Sequence, residues 1–294
     1  MNQLKTVLLL GILSAILVGV GGALGSNALG ISIVLAVVMN LGAYFFSDRI
    51  VLAMHRAQEI SPAESPELHR MVEELAARAG IPKPRVYLIP EAQPNAFATG
   101  RNPEHAVVAV TSGILQVLDR RELRGVLAHE LAHVKNRDIL VSSIAATVAA
   151  AITYVAHAVG FFGMAGSDED GPSPAQSLLL AIVAPIAATL IQLGISRSRE
   201  YGADATGAEI SGDPEALARA LEKLEQAAHA IPARMQPATA SLFIVNPFSA
   251  TEGVLKLFST HPSMRERIRR LRAMQVSSGG WPVGARDATF DARW

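Results

Sequence analysis

The sequence contains no cysteine. Without thiols there is no disulfide framework and no thiolate metal site, so any bound metal must be held by His and carboxylate groups. Charge is also scarce: Asp, Glu, Lys and Arg make up 18% of the 294 residues, with 26 basic residues balancing 26 acidic ones. Nucleic-acid binding needs concentrated Lys and Arg to displace counterions from phosphates, and no such stripe exists. Nucleic acid is therefore excluded as a partner.

Half of the residues are hydrophobic, and they are gathered into runs. Thr6 to Ser47 carries no Asp, Glu, Lys or Arg and is divided by a "GSNALG" turn at Gly25 to Gly30. Two helices of about 20 residues fit there, the length a bilayer core requires. The first is too long for the apolar core of a signal peptide, and a second follows at once. Further charge-free runs extend from Ile139 to Ser167 and from Gly171 to Ser196, with the acidic loop "SDEDGPSP" between them. They are predicted to be spans three and four; a pair of buried core helices is the alternative. Pro185 falls inside the fourth, where packing neighbours can absorb the lost hydrogen bond. If four spans are crossed, Lys5, Arg49, Arg56, Lys135, Arg137, Arg197 and Arg199 all fall on one side. The positive-inside rule then places both termini and the two soluble segments in the cytoplasm.

The soluble segments carry a helix signature in "SPELHRMVEELAARAG". Ser65 is the expected N-cap and Pro66 the first helical residue; Leu68, Met71, Val72, Leu75, Ala76 and Ala79 form one face, and Gly80 is the stop. "RVYLI" (Arg85 to Ile89), "NAFATG" (Asn95 to Gly100) and "HAVVAVTSGIL" (His105 to Leu115) predict a small sheet of short strands. Asp119 with Glu122 three residues on is a capping box, and the helix it opens contains "LAHELAHVKNRD". Further helices are expected from Asp213-Pro214 to about His229 and after His261-Pro262, the latter with Ile268 and Leu271 on its buried face. The segment 231–259 has no assignable pattern, and the tail from Val276 is expected to be loosely ordered.

His129 and His133 stand four residues apart on a helix, so two imidazoles project from one face and can reach one ion. Glu130 lies beside them, placed to take a proton from water without occupying a coordination position. A catalytic zinc takes three protein ligands, and "SRSREYGADATGA" (Ser196 to Ala208) offers the third. Glu200 and Asp204 are again four apart: one carboxylate can bind the metal while the other accepts a ligand histidine's outward N–H. Glu209 is the nearest rival. His133 precedes Ile139 by six residues and Glu200 follows Ser196 by four, so a hairpin of spans three and four would bring the half-sites together at the bilayer surface.

"AHELAHVKNRD", "SRSREYGADATGA", "NAFATG" with "VVAVTSGIL", and "STHPSMRERI" together resemble the HtpX family of membrane-embedded zinc metalloproteases, relatives of the CaaX prenyl-protein endopeptidases. The likeness runs from the paired N-terminal spans to about Met274. It implies a mainly α integral membrane protein with four transmembrane helices and a zincin-like (gluzincin) α+β peptidase domain built on a small sheet. The segments would be 1–50 (paired spans), 51–138 (first part of the peptidase), 139–196 (transmembrane hairpin), 197–274 (second part) and 275–294 (tail). The resemblance implies a stress-response protease of the bacterial inner membrane, multi-pass, with its peptidase domain facing the cytoplasm. Its partners would be polypeptides, membrane or misfolded proteins among them, and the lipid bilayer. His129, His133 and Glu200 would bind one Zn2+ per chain, Glu130 would be the base, and Asp204 would orient a ligand histidine. Asn95, Ala96, Phe97 and Ala98 would present an edge for substrate. His261 would stabilise the oxyanion with support from Arg265. Two departures stand out: the tail beyond Met274 matches no family motif, and Ser263 replaces the second proline common after this His-Pro.

Two other readings compete. An intramembrane site-2-type protease would bury His-Glu-x-x-His in lipid, a costly depth for Arg120, Arg121, Arg124, Lys135 and Arg137. A scaffold using zinc structurally would need a fourth protein ligand, and none is near. His55, His69, His105, His157 and His229 carry no assigned role.

Overall fold

The computed structural model describes residues 2–23, 26–164, 197–230, 242, 244 and 263–277. Helices α1 (Asn2–Ala23) and α2 (Ser26–Met54) occupy the first apolar run, and α6 (Ile139–Met164) the second. Leu9, Leu13 and Leu17 of α1 pack with Ala36 of α2 and with Val141, Ile144 and Val148 of α6. Asn40 adds a polar tie between the first two helices, its Nδ2 donating to Ser14 Oγ at 2.7 Å. The outward faces remain apolar: Val7, Ile31, Val34, Val37, Val38, Phe45 and Phe46 are exposed. In water such a contiguous surface would be a liability; in a bilayer it faces its proper solvent. Among the described residues, Leu29–Met54 is long and apolar enough to cross a membrane, with a mean hydropathy of 2.1, whereas the apolar stretches Leu4–Gly19 and Ile139–Ala151 are shorter. The expected fourth span, Gly171 to Ser196, lies outside the described residues.

After α2 the chain forms β1 (Gln58–Glu59), α3 (Pro66–Ala79), β2 (Arg85–Ile89), β3 (Ala96–Thr99), a 3-10 turn (Pro103–His105), β4 (Val107–Thr111), α4 (Ser112–Val117) and α5 (Arg120–Lys135). The sheet is mixed, in the order β1-β2-β4-β3: β2 and β4 run parallel, while β1 and β3 are antiparallel edges. Both of its faces are covered, so β4 reads as the unbroken apolar run "VVAV". Val108 and Val110 join the core made with α3 and α5. Val107 and Ala109 point the other way, with Phe97 and Ile89, against Val51 and Leu52 of α2 and Ala146 of α6. The sheet is thus sandwiched between α3 and α5 on one face and the apolar helices α2 and α6 on the other.

Helices α7 (Arg197–Ser211), α8 (Pro214–Ala230) and α9 (Met264–Ser277) complete the domain around α5. Three local expectations change. "SGIL" leaves the strand and becomes part of α4, because Thr111 Oγ1 accepts the Ile114 N–H at 3.1 Å and caps a helix. Ser65 makes no side-chain cap bond, and the ends of α3 rest instead on Pro66 and on Gly80 at φ 71°. β1 was not foreseen: two exposed polar residues show no alternation, and only pairing with Tyr87 and Leu88 makes them a strand.

Candidate metal centre

Helix α5 starts under a complete capping box. Asp119 Oδ1 accepts the Glu122 N–H at 2.8 Å, and Glu122 Oε2 accepts the Asp119 N–H at 3.0 Å. The same buried Glu122 pairs with Lys223 of α8 at 2.7 Å, so one carboxylate both starts α5 and docks a neighbour. The outer side of α5 carries Arg120, Arg121 and Arg124, paired with Glu67, Asp213 and Glu74. Such exposed pairs each contribute about 0–1 kcal/mol, but they mark a face turned to water.

On the inner side, His129 and His133 lie with ring centroids 4.8 Å apart and planes at 85°. The Glu200 carboxylate of α7 faces both: Oε2 is 3.6 Å from His129 Nε2, and Oε1 is 3.5 Å from His133 Nε2. These three residues each offer a ligand atom, all within 4.8 Å of one another. Bonds of about 2.1 Å in tetrahedral array separate ligand atoms by about 3.4 Å, so the observed spacing fits a single ion. The outward Nδ1 atoms meet carboxylates, Asp204 Oδ1 at 3.0 Å from His129 and Asp138 Oδ2 at 3.3 Å from His133. This leaves both Nε2 atoms turned inward, as metal-ligating histidines require.

Glu200 Oε2 is buried and has no hydrogen-bond partner. His129 Nε2 and Arg267 Nη1 stand 3.6 and 3.4 Å away, too far to satisfy it. The carboxylate's charge is met in part by the Arg267 guanidinium, and with no hydrogen bond made the lone pairs of Oε2 are left to accept a further cation. The charge distribution agrees. Burial opposes a charged His129, yet Asp204 and Glu200 outweigh it and raise its pKa to about 9. Burial also opposes ionised Asp204, but Arg267 and His129 hold it down at about 2.

Glu130 is buried beside the pair, and its Oε2 accepts the Ala98 N–H from β3 at 2.9 Å. Burial pushes its carboxyl up, and the two imidazoles oppose the shift. The edge strand therefore holds this side chain. Ladder bonds in an antiparallel pair alternate, and Thr111 N donates to Asn95 O at 2.9 Å. By that alternation Phe97 and Thr99 bond to β4, while the peptide groups of Ala96 and Ala98 face away from it, on a buried strand whose Ala98 N–H is taken by Glu130.

The remaining site candidates fall in different places. Asn95 is buried, and its Oδ1 accepts the Ile244 N–H at 3.2 Å, so its side chain holds neighbouring backbone. Glu209 is exposed and outside the cluster. His261 lies outside the described residues. Arg265 is exposed; Arg267 is the buried arginine, with Nε and Nη2 donating to Asp204 at 2.8 and 2.7 Å and Nη1 to Ile244 O at 3.3 Å. His55 meets Glu91 at 3.4 Å, His69 Nε2 lies 2.9 Å from Ile60 O, and His105 joins Arg101 and Asn102, each at 2.7 Å. The side chains of His157 and His229 are outside the described ones.

Sequence reasoning missed three residues. Asp138 needed only one more step past the helix end, from His133 to the first acid after it. Arg267 was detectable from spacing, since Met264, Arg267, Ile268 and Leu271 share the buried face of α9. Gly207 left no chemical signal at all. A Cβ there would lie 2.9 Å from His129 N and Cα, so the glycine lets α7 approach α5 backbone to backbone.

The description Peptidase family M48 matches residues 62–275. The chain is 57% identical over 281 residues to a Protease HtpX homolog of Syntrophobacter fumaroxidans, covering 93% of this chain and 99% of that one. It is 51% identical over 302 residues to a Protease HtpX homolog of Desulfatibacillum aliphaticivorans, covering 99% and 97%. Among solved structures, the crystal structure of S. mikatae Ste24p aligns at a TM-score of 0.48 and 20% identity, over 81% of this chain and 57% of that one. The family match, the relatives' names and the His-His-Glu cluster define a membrane-associated metalloendopeptidase acting on polypeptides. The chain belongs to peptidase family M48, among the HtpX proteases.

Proposed function

We propose that this chain is a zinc-dependent endopeptidase that cleaves membrane or misfolded proteins at the cytoplasmic surface of a bacterial inner membrane. The convergence of His129 and His133 from α5 with Glu200 from α7 is the observation that carries it. Two imidazoles and one carboxylate, in a chain without thiols, suit one Zn2+ better than Mg2+ or Ca2+, which take oxygen ligands. Asp204 and Asp138 orient the two histidines, and Arg267 holds Asp204.

The ion, when bound, supplies Lewis acidity toward the scissile carbonyl and toward water. Glu130 takes the proton of the attacking water and returns it to the departing amine. Its Oε2 is fixed by Ala98, so the carboxylate reaches the substrate already oriented. An extended substrate adds to the edge of β3 turned away from β4, through the peptide group of Ala96 and the carbonyl of Ala98, while the Ala98 N–H stays with Glu130 and Asn95 holds the Ile244 backbone. His261 is assigned the developing oxyanion.

Four spans with both termini inside, and the five-segment division at residues 50, 138, 196 and 274, complete the proposal. The ion pairs along α5 support a domain bathed in water rather than lipid. Because the natural chain has no cysteine, topology is readable by single substitutions. Asn27→Cys and Ser167→Cys are expected to react with an impermeant maleimide in intact spheroplasts, and Ser61→Cys only after lysis. Glu130→Gln is expected to keep stoichiometric zinc and lose about 10²–10⁴-fold in cleavage of a casein-type substrate. Undiminished activity in that variant, or zinc retained after Glu200→Ala, would refute the assigned chemistry.

A further inference from the structure

We propose that a cavity where α1, α2 and α6 meet the peptidase domain binds the phosphate headgroup of an anionic phospholipid. The cavity encloses about 680 Å³, and Val7, Phe45 and Val141 form its apolar side while Tyr44, Arg101 and Arg137 form its polar side. That volume is within the usual range for small-molecule sites. Each helix lines it close to its charged end: Val7 follows Lys5 by two residues, Phe45 precedes Asp48 by three, and Val141 follows Arg137 by four. All of this lies within about one helical turn, 5.4 Å, of the polar boundary, the depth at which lipid phosphates sit.

The charged side chains described in the cavity lining are basic. Among the described residues, Arg101 and Arg137 line the cavity and no carboxylate does. The nearest acids in sequence, Asp48 and Asp138, contact Arg85 at 3.6 Å and His133 at 3.3 Å. Arg101 is held by His105 Nε2 at 2.7 Å and rests 5.8 Å from the Phe45 ring centroid, which keeps its charge over the apolar side. Arg137 has φ 57°, a left-handed backbone uncommon for arginine, in the turn between α5 and α6. Guanidinium forks match phosphate oxygens, and the exposed apolar faces of α1 and α2 beside them suit acyl chains.

Occupancy would also reach the metal centre. Arg101 follows Gly100, and the preceding Thr99 Oγ1 meets Ser143 Oγ of α6 at 2.7 Å. Arg137 follows His133 by four residues. A phosphate shared by the two arginines ties the end of β3 to the end of α5, the two elements between which Glu130 is fixed. Anionic lipid is thus a ligand that steadies the site as well as a solvent for the helices. The inference rests on the membrane placement proposed above and not on the substrate.

The test uses the full-length Glu130→Gln protein, so that binding is read without cleavage. Native mass spectrometry after extraction from vesicles of phosphatidylcholine with phosphatidylglycerol measures which lipid is retained. Retention of phosphatidylglycerol over phosphatidylcholine is expected, weakened about thirtyfold by Arg101→Gln with Arg137→Gln. Arg70→Gln with Lys83→Gln, an equal charge loss outside the cavity, is expected to leave it unchanged. Val7→Trp, which fills the cavity without removing charge, is expected to block retention even if the double variant fails to fold. Equal retention of both lipids, undiminished retention in Val7→Trp, or equal protection from thermal unfolding by inorganic phosphate alone would overturn the proposal.

Discussion

The two halves of the metal centre are held in place by different means. The α5 half is local: a capping box starts the helix, its four-residue spacing aligns the imidazoles, and Asp138 lies just past its end. The α7 half is set by distant contacts. Glu200 sits in the first turn of a helix whose position depends on a glycine-tight approach to α5 and on Arg267, which arrives from α9 to grip Asp204. A helix cap tolerates loss of one interaction because the rest of the turn remains. A buried ion pair does not, because removing one partner strands the other charge.

This contrast predicts a ranking of effects. Arg267→Met leaves the Asp204 carboxylate buried without its cation, and the expected loss is about 3–5 kcal/mol of stability with weakened zinc retention, measured by thermal unfolding and metal analysis. Pairing it with Asp204→Leu should restore part of the stability but not the zinc affinity; full recovery of both would mean that the pair only fills space. Gly207→Val is next. Its Cβ meets the His129 backbone, where neither partner can yield, so about 1–3 kcal/mol is expected to be lost together with zinc affinity. Gly202→Ala, which meets nothing within 4 Å, is the matched control.

Asp138→Asn should keep the fold and weaken zinc binding about 10–100-fold in competition with a chromogenic chelator, since it frees the His133 ring to turn. Asp119→Ala should do the opposite, costing about 1 kcal/mol in stability while zinc affinity holds. If Asp119→Ala weakened zinc more than Arg267→Met did, the distinction between a locally built half and a tertiary half would fail.

Much of the fold was legible because its signals are short-range. The capping box, the α3 face ending at Gly80 and the strand at Arg85 to Ile89 all follow from patterns a few residues long. The sheet order was not legible. β2 and β4 pair in parallel with β3 at the outside edge, a long-range pairing that brings Ala98 to Glu130. Nor did spacing alone separate Glu200 from Glu209, or Arg265 from Arg267. Each pair differs in which way a helix faces, and that is fixed by its neighbours.

By itself, the sequence determined that the chain carries long apolar helices and that one capped helix presents two histidines and a glutamate. Those features arise from periodicity and hydrophobicity, which act within a single segment. Tertiary structure alone decided that Glu200 faces both imidazoles, that Ala98 fixes Glu130, and that Arg267 grips Asp204 while reaching His129 Nε2 and Glu200 Oε2. These are contacts between segments far apart in the chain. Packing sets them, because a charge can stay buried only where another element supplies its partner.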